Sequence, residues 1–137
     1  MNGIERVEAE GQLIAIVLRR YLEKEGTYFV TPPENALQLG VLGHKRGTEI
    51  GAHVHINTAH TIESVQEVLH ILYGRVQVDF YSLTGVRLES LTLNSGDTIL
   101  LISGGHGFKI LEDSKIIEVK QGPYHGVEGD KKCLPNV

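Results

Sequence analysis

At 137 residues the chain has the length of one domain and can bury a sizeable core. Its formal net charge is −4 and it carries no basic block, which argues against a nucleic-acid partner. The apolar run in MNGIERVEAEGQLIAIVLRR is too short to span a bilayer; acidic residues precede it and no small-residue cleavage site follows, so no membrane partner is expected.

Glycine is abundant at 16 and tryptophan is absent, which suits short strands joined by tight turns. The first strand is GQLIAIVLR, Gly11 to Arg19, and YLEKEG, Tyr21 to Gly26, reads as a loop or a short turn of helix. Tyr28 to Val30 forms a short strand, cut off by Pro32-Pro33, which cannot donate ladder hydrogen bonds. Gln38 to His44 is the next strand, and Lys45-Arg46-Gly47 turns the chain into a further one over Ala52 to His55. NTAHTIES, Asn57 to Ser64, is a polar loop or a single helical turn. Val65 to Leu72 and Arg75 to Ser82 read as a hairpin around Tyr73-Gly74. In the second of these, Val76, Val78 and Phe80 alternate with Gln77, Asp79 and Tyr81, the period of a half-buried strand. Thr84-Gly85 turns the chain into Val86 to Leu93, and Asn94-Ser95-Gly96-Asp97 is a strong turn signal. Thr98 to Ile102, Gly107 to Leu111 and Lys115 to Gln121 complete the series. About ten short strands punctuated by glycine turns predict an all-β jelly roll or a related barrel. It forms a single domain with a core over residues 38–121, N-terminal strands over 1–37 and a tail over 122–137.

Histidines and one carboxylate carry the chemistry. On a strand, His53 and His55 leave the same face. Glu67 opens an apolar run; facing inward, it takes Leu69 and Ile71 with it and sends Val68, His70 and Leu72 to the other side. His106 stands in SGGHGF, just past another apolar run. Three neutral imidazoles and a carboxylate suit a divalent transition metal such as Fe, Mn, Ni or Zn. Glu63 competes for the acidic place, and Glu67 is preferred because VLHILYG follows it in strand register. Among the other histidines, His44 is placed to line the mouth of the site, His70 to face outward, and His60 to lie in a loop; His125 sits in the tail. Arg46, Lys109, Lys120 and Gln121 are polar candidates for gripping an anionic small-molecule substrate. Both faces of the strand from Val65 are apolar, so a second protomer is the simplest cover for its outer face and a homodimer is expected. The lone Cys133 has no internal disulfide partner, which points to a reducing compartment and, by default, the cytoplasm. The ending GVEGDKKCLPNV reads as a mobile tail or an arm across the partner.

The stretch GTEIGAHVH, Gly47 to His55, is similar to the opening of the first cupin motif, and Glu67 to Gly74 to its close. Gly96 and His106 match the ends of the second motif, so the chain resembles the cupin superfamily from Gln38 to Gln121. The insert between His55 and Glu67 is longer than the motif carries. Ile102 replaces a proline near the second turn, and Ile110 stands where an asparagine is expected. The resemblance implies a cupin-type jelly-roll barrel with His53, His55, Glu67 and His106 as metal ligands. It also implies an enzyme of small oxygenated metabolites, a carbohydrate or keto acid, acting as isomerase, epimerase or dioxygenase. Glu67 is then either a ligand or a base beside the ion, and His44, Arg46 and Lys120 are the substrate-binding candidates. A second resemblance, over Gly105 to Phe108, Ile110 to Asp113, Val119-Lys120 and Tyr124, is to sugar-nucleotide cupins: deoxysugar 3,5-epimerases and 3,4-ketoisomerases. Those use a histidine base and a tyrosine acid, generally without metal, and the corresponding tyrosine is Tyr124. A non-catalytic metal-binding or ligand-binding cupin is the third reading.

Overall fold

The computed structural model describes residues 1–134. Its strands are β1 (Ile4–Ala9), β2 (Gln12–Leu18), β3 (Gly26–Phe29), β4 (Gly40–Gly43), β5 (Glu67–Tyr73), β6 (Arg75–Tyr81), β7 (Arg87–Asn94), β8 (Thr98–Leu101), β9 (Gly105–Ile110) and β10 (Lys115–Lys120). One helical turn, α1 (Val127–Asp130), follows. The class is all-β, as the turn-punctuated strand pattern predicts. Three sheets form and none closes into a barrel: β1-β2-β8-β5-β10, the hairpin β3-β4, and β7-β6-β9. Every pairing is antiparallel.

Strand parity builds the core. Val76, Val78 and Phe80 on β6 and Leu93 on β7 meet Ile14, Ala15 and Val17 of β2, Leu69 and Ile71 of β5, and Ile99 and Leu101 of β8. The five-stranded and three-stranded sheets therefore pack face to face. Ile16 and Leu18 leave the opposite face of β2 and are covered, together with Val30, by the β3-β4 hairpin. That two-sided burial explains why β2 reads as a continuous apolar run rather than an alternating one. Among the described residues, no helix is long and apolar enough to cross a membrane.

Three expectations are corrected here. The strand over Ala52 to His55 does not form: residues 44–66 contain no strand, and residues 49–65 take part in no backbone–backbone hydrogen bond. Strands β5 and β6 are not a hairpin, for β5 pairs with β8 and β10 while β6 pairs with β7 and β9. A one-residue link cannot close a two-residue hairpin turn; it throws the chain from one sheet to the other. Finally, β1 is a strand that the sequence pattern did not announce, because only Val7 of IERVEA is buried. Of the tail, residues 135–137 lie outside the described residues.

The crossing at Gly74 has no room for a side chain. Its φ is +100°, and an added Cβ would meet the Ser114 hydroxyl and the Asp113 carbonyl oxygen, the latter at 2.5 Å. Gly74→Ala is expected to cost about 2 kcal/mol from backbone strain and the clash together, read as a lower urea midpoint with an unchanged slope.

Candidate functional site

The site lies where the two facing sheets part at one end of the core. Glu67 is the first residue of β5 and shares the core face with Leu69 and Ile71, both buried. On the neighbouring β10, Lys120 stands opposite Glu67, Glu118 opposite Leu69 and Ile116 opposite Ile71. From the other sheet, β9 places His106 opposite Phe80, Phe108 opposite Val78 and Ile110 opposite Val76. Directly opposed residues share a face, so His106 points between the sheets. Its Nε2 lies 2.8 Å from Glu67 Oε1. The imidazole donates that hydrogen bond and the carboxylate accepts it.

Around the pair is a cavity of about 230 Å³ lined by Glu67, Leu101, His106, Phe108, Glu118 and Lys120, with Asp130 and Lys131 at its rim. Lys120 Nζ is salt-bridged to Asp130 at 2.9 Å and lies 5.3 Å from the Tyr124 ring centroid. The hydrogen bond from His106 holds the Glu67 carboxyl down at about 2, against burial, which opposes ionisation; Glu118 and Lys120 add to the lowering. Glu118 moves the other way. Its carboxyl is raised chiefly by its hydrogen bond to Glu67 and then by burial.

Those directions fix two pH dependences of opposite sign. Glu67 has a depressed folded-state pKa, so its contribution to stability is present above 4.5 and is lost as pH falls toward about 2. Glu118 has a raised one, so its ionisation opposes folding above its ordinary range and that opposition vanishes in acid. Glu118→Gln keeps a donor for Glu67 and removes the second charge. It is expected to raise stability at pH 7 by less than about 1 kcal/mol, because the group is largely exposed and screened. The gain should disappear below pH 4 in urea denaturation run as a pH series.

The four expected ligands are not brought together in the single chain. Glu67 and His106 are in contact, whereas His53 and His55 lie in the undocked segment, their ring centroids 5.3 Å apart. Among the described residues, no group of three or more His, Cys, Asp or Glu converges on one metal position. The expectation that His53 and His55 leave one face needs a strand, and that segment has no partner strand. Two details suit metal binding nonetheless. His53 Nδ1 lies 2.8 Å from the Gly51 carbonyl oxygen. A carbonyl only accepts, so Nδ1 carries the proton and Nε2 keeps its lone pair, the arrangement usual for metal-ligating histidines. Nε2 of His106 and Oε1 of Glu67 also lie 2.8 Å apart, near the ~3 Å that neighbouring ligands adopt around one ion, which would take the place of the shared proton. Two donors therefore fit and two are out of place.

The remaining candidates separate cleanly. Glu63 and His60 line a different cleft, about 900 Å³ in volume, formed by Pro32 to Ala36, Gln38, residues 60–64, Gln66 and Gln121. Glu67, not Glu63, is the carboxylate beside His106. His44 and Arg46 are exposed just after β4 and line neither cavity, so the structure does not bring them to the site with Lys120. Lys109 faces away from the core, opposite Gln77. Tyr124 is exposed and reaches the site only through Lys120. His70 faces outward as parity predicts, its Nδ1 2.9 Å from Thr98 Oγ1 on β8. Gln121 accepts from the Gln66 backbone N–H at 2.8 Å, and Asn35 Nδ2 donates to Gln66 Oε1 at 2.8 Å, so these amides fasten the end of the long segment to the end of β10 and to the β3–β4 connection. Glu118 was missed, although a lone acid inside KIIEVK at the parity of Ile116 and Lys120 is a readable signal.

Comparison with protein-family models, with curated proteins and with solved structures finds no match.

Proposed function

We propose that the chain is a metal-binding protein of the cupin type, its two facing sheets forming the halves of a jelly roll. Its centre uses Glu67 and His106, completed by His53 and His55, and it acts on a small oxygenated metabolite such as a keto acid or carbohydrate. The observation that carries the reading is the 2.8 Å contact between His106 Nε2 and Glu67 Oε1, which brings a borderline nitrogen donor and a hard oxygen donor together from two different sheets. The cavity around them, about 230 Å³, is below the ~300–1,000 Å³ of pockets for drug-sized ligands and suits a small substrate. Lys120 lines that cavity and supplies a cation for a carboxylate or an enolate oxygen. Glu118, whose carboxyl is raised by its hydrogen bond to Glu67, lines the same cavity and is the candidate to move a proton next to a carbonyl. The metal when bound polarises a carbonyl. We place the protein in the cytoplasm as a homodimer, on the lone Cys133 and on the exposed outer-face residues Leu72, Ile117 and Val119 of β5 and β10.

A second reading, a sugar-nucleotide epimerase or ketoisomerase working without metal, draws on one further feature: the 900 Å³ cleft meets the small cavity at Ile102, which lines both. A sugar in the small cavity and a nucleotide in the cleft would use both, with His106 as base and Tyr124 as acid. Elemental analysis of untagged protein after loading with Mn²⁺ or Zn²⁺ separates the two. About one equivalent per chain, lost in Glu67→Ala, supports the metal reading; no binding, with turnover of a nucleotide-linked keto sugar, supports the other.

A further inference from the structure

Past β10 the chain forms a strap across the gap between the two facing sheets. It leaves the five-stranded sheet at Lys120, the last residue of β10, and turns back through α1 until Asp130 Oδ2 lies 2.9 Å from Lys120 Nζ. It then reaches the other sheet, because a Cβ added at Gly105, the first residue of β9, would lie 2.5 Å from Leu134 Cδ1. Glu67 and His106 meet in that same gap, and Asp130 and Lys131 of the strap line the small cavity around them.

Little else fastens the strap. Among the described residues from 122 onward, the backbone makes one hydrogen bond, from the Lys131 N–H to the Val127 carbonyl within α1, and none to either sheet. Helix α1 buries no residue and has no side-chain cap. Among the same residues, the one side-chain hydrogen bond to the body of the protein is the contact of Asp130 with Lys120. Partly exposed ion pairs are weak, so this latch opens readily. It also shows which chemical group the site holds. Lys120 keeps a carboxylate inside the cavity wall, the two side chains 24% and 17% exposed. A hydroxyl would give up the charge-assisted part of that bond. Phosphate would bring a second negative charge toward Glu67 and Glu118, which line the same cavity. A single carboxylate replaces Asp130 charge for charge.

We infer that the small cavity takes a monocarboxylate, whose carboxylate displaces that of Asp130 from Lys120 and so releases the strap. The inference rests on the reading that this cavity is the substrate site, and of the two substrate classes named there it selects the keto acid. Asp130 is the stand-in for the ligand, and the strap is a cover that loosens as the ligand enters.

Pyruvate is the probe, with uncharged pyruvamide and inorganic phosphate beside it, each titrated calorimetrically into the Mn²⁺-loaded full chain. Trypsin cleavage after Lys131 and Lys132 reads the strap. Pyruvate is expected to bind wild type and to speed that cleavage. Asp130→Ala should bind it about two- to sixfold more tightly, since no internal carboxylate competes for Lys120, and should be cut quickly with or without it. Lys120→Met also frees the strap and is cut as quickly, but it should lose pyruvate binding. Pyruvamide and phosphate should neither bind comparably nor speed cleavage. Equal affinity in wild type and Asp130→Ala, binding retained in Lys120→Met, or tighter binding of phosphate or pyruvamide overturns the inference. So does a failure of Asp130→Ala to bind pyruvate. Uptake of Mn²⁺ is measured separately. Should wild type take up none, the metal reading fails by itself, and the same titrations without the ion decide the latch.

Discussion

Asp97→Ala is expected to lower the stability of the fold by about 3 kcal/mol, the cost of stripping one partner from a buried ion pair. Asp97 is 1% exposed and ends the Asn94–Asp97 turn between β7 and β8. Its Oδ2 accepts from Arg19 Nη1 at 2.8 Å and from the Asn94 backbone N–H at 2.8 Å, while Oδ1 accepts from the Arg20 N–H at 2.9 Å. Arg19 also donates to the Thr92 carbonyl at 2.8 Å and pairs with Glu5, so one carboxylate ties the end of β2 to the turn by which the chain crosses from the three-stranded sheet into β8. Alanine leaves two backbone donors and a guanidinium short of an acceptor in a place water reaches poorly. Asp97→Asn keeps one acceptor and should lose about half as much. For a chain of this size the alanine variant should melt roughly 10 °C lower. A loss below about 1 kcal/mol would mean the turn is held by its backbone alone.

The second large effect falls on the metal. His106→Ala is expected to weaken Mn²⁺ or Zn²⁺ binding by more than about 100-fold, since even residues that only orient a ligand are worth 10–100-fold. The fold should tolerate the change, because β9 is an edge strand and the His106 side chain is partly exposed. Removing Glu63, which lines the larger cleft, should leave affinity unchanged. Isothermal titration on the two variants reads both outcomes. Equal loss in Glu63→Ala would move the acidic ligand out of β5 and into the long segment.

Much of the architecture is legible because burial follows a period of two. Val76, Val78 and Phe80 announce β6 and its inner face, and Leu69 and Ile71 fix which way Glu67 points. Those two facts give the inward direction of Glu67; the meeting with His106 comes from the pairing of β9 with β6, which the local pattern does not announce. Sheet membership is less legible. Tyr73-Gly74 between two apolar runs has the look of a hairpin, but only the packing of Ser114 and Asp113 against Gly74 reveals a chain crossing between layers. β1 hides because Glu5, Arg6 and Glu8 outnumber its one buried residue, and the pairing with β2 supplies what its own pattern lacks. The segment around His53 and His55 failed for the opposite reason: the strand pattern is present, and the partner that would make it a strand is not written next to it. Pairing is a property of two segments, and a local pattern specifies one.

The central claim is that His53, His55, Glu67 and His106 surround a single ion. Paramagnetic relaxation on titration with Mn²⁺, followed in the imidazole resonances of all seven histidines, tests it most directly. The account predicts that His53, His55 and His106 broaden together, earlier and more strongly than His44, His70 and His125, and saturate near one equivalent. Broadening of His106 without His53 and His55, or of none of the three, would contradict it.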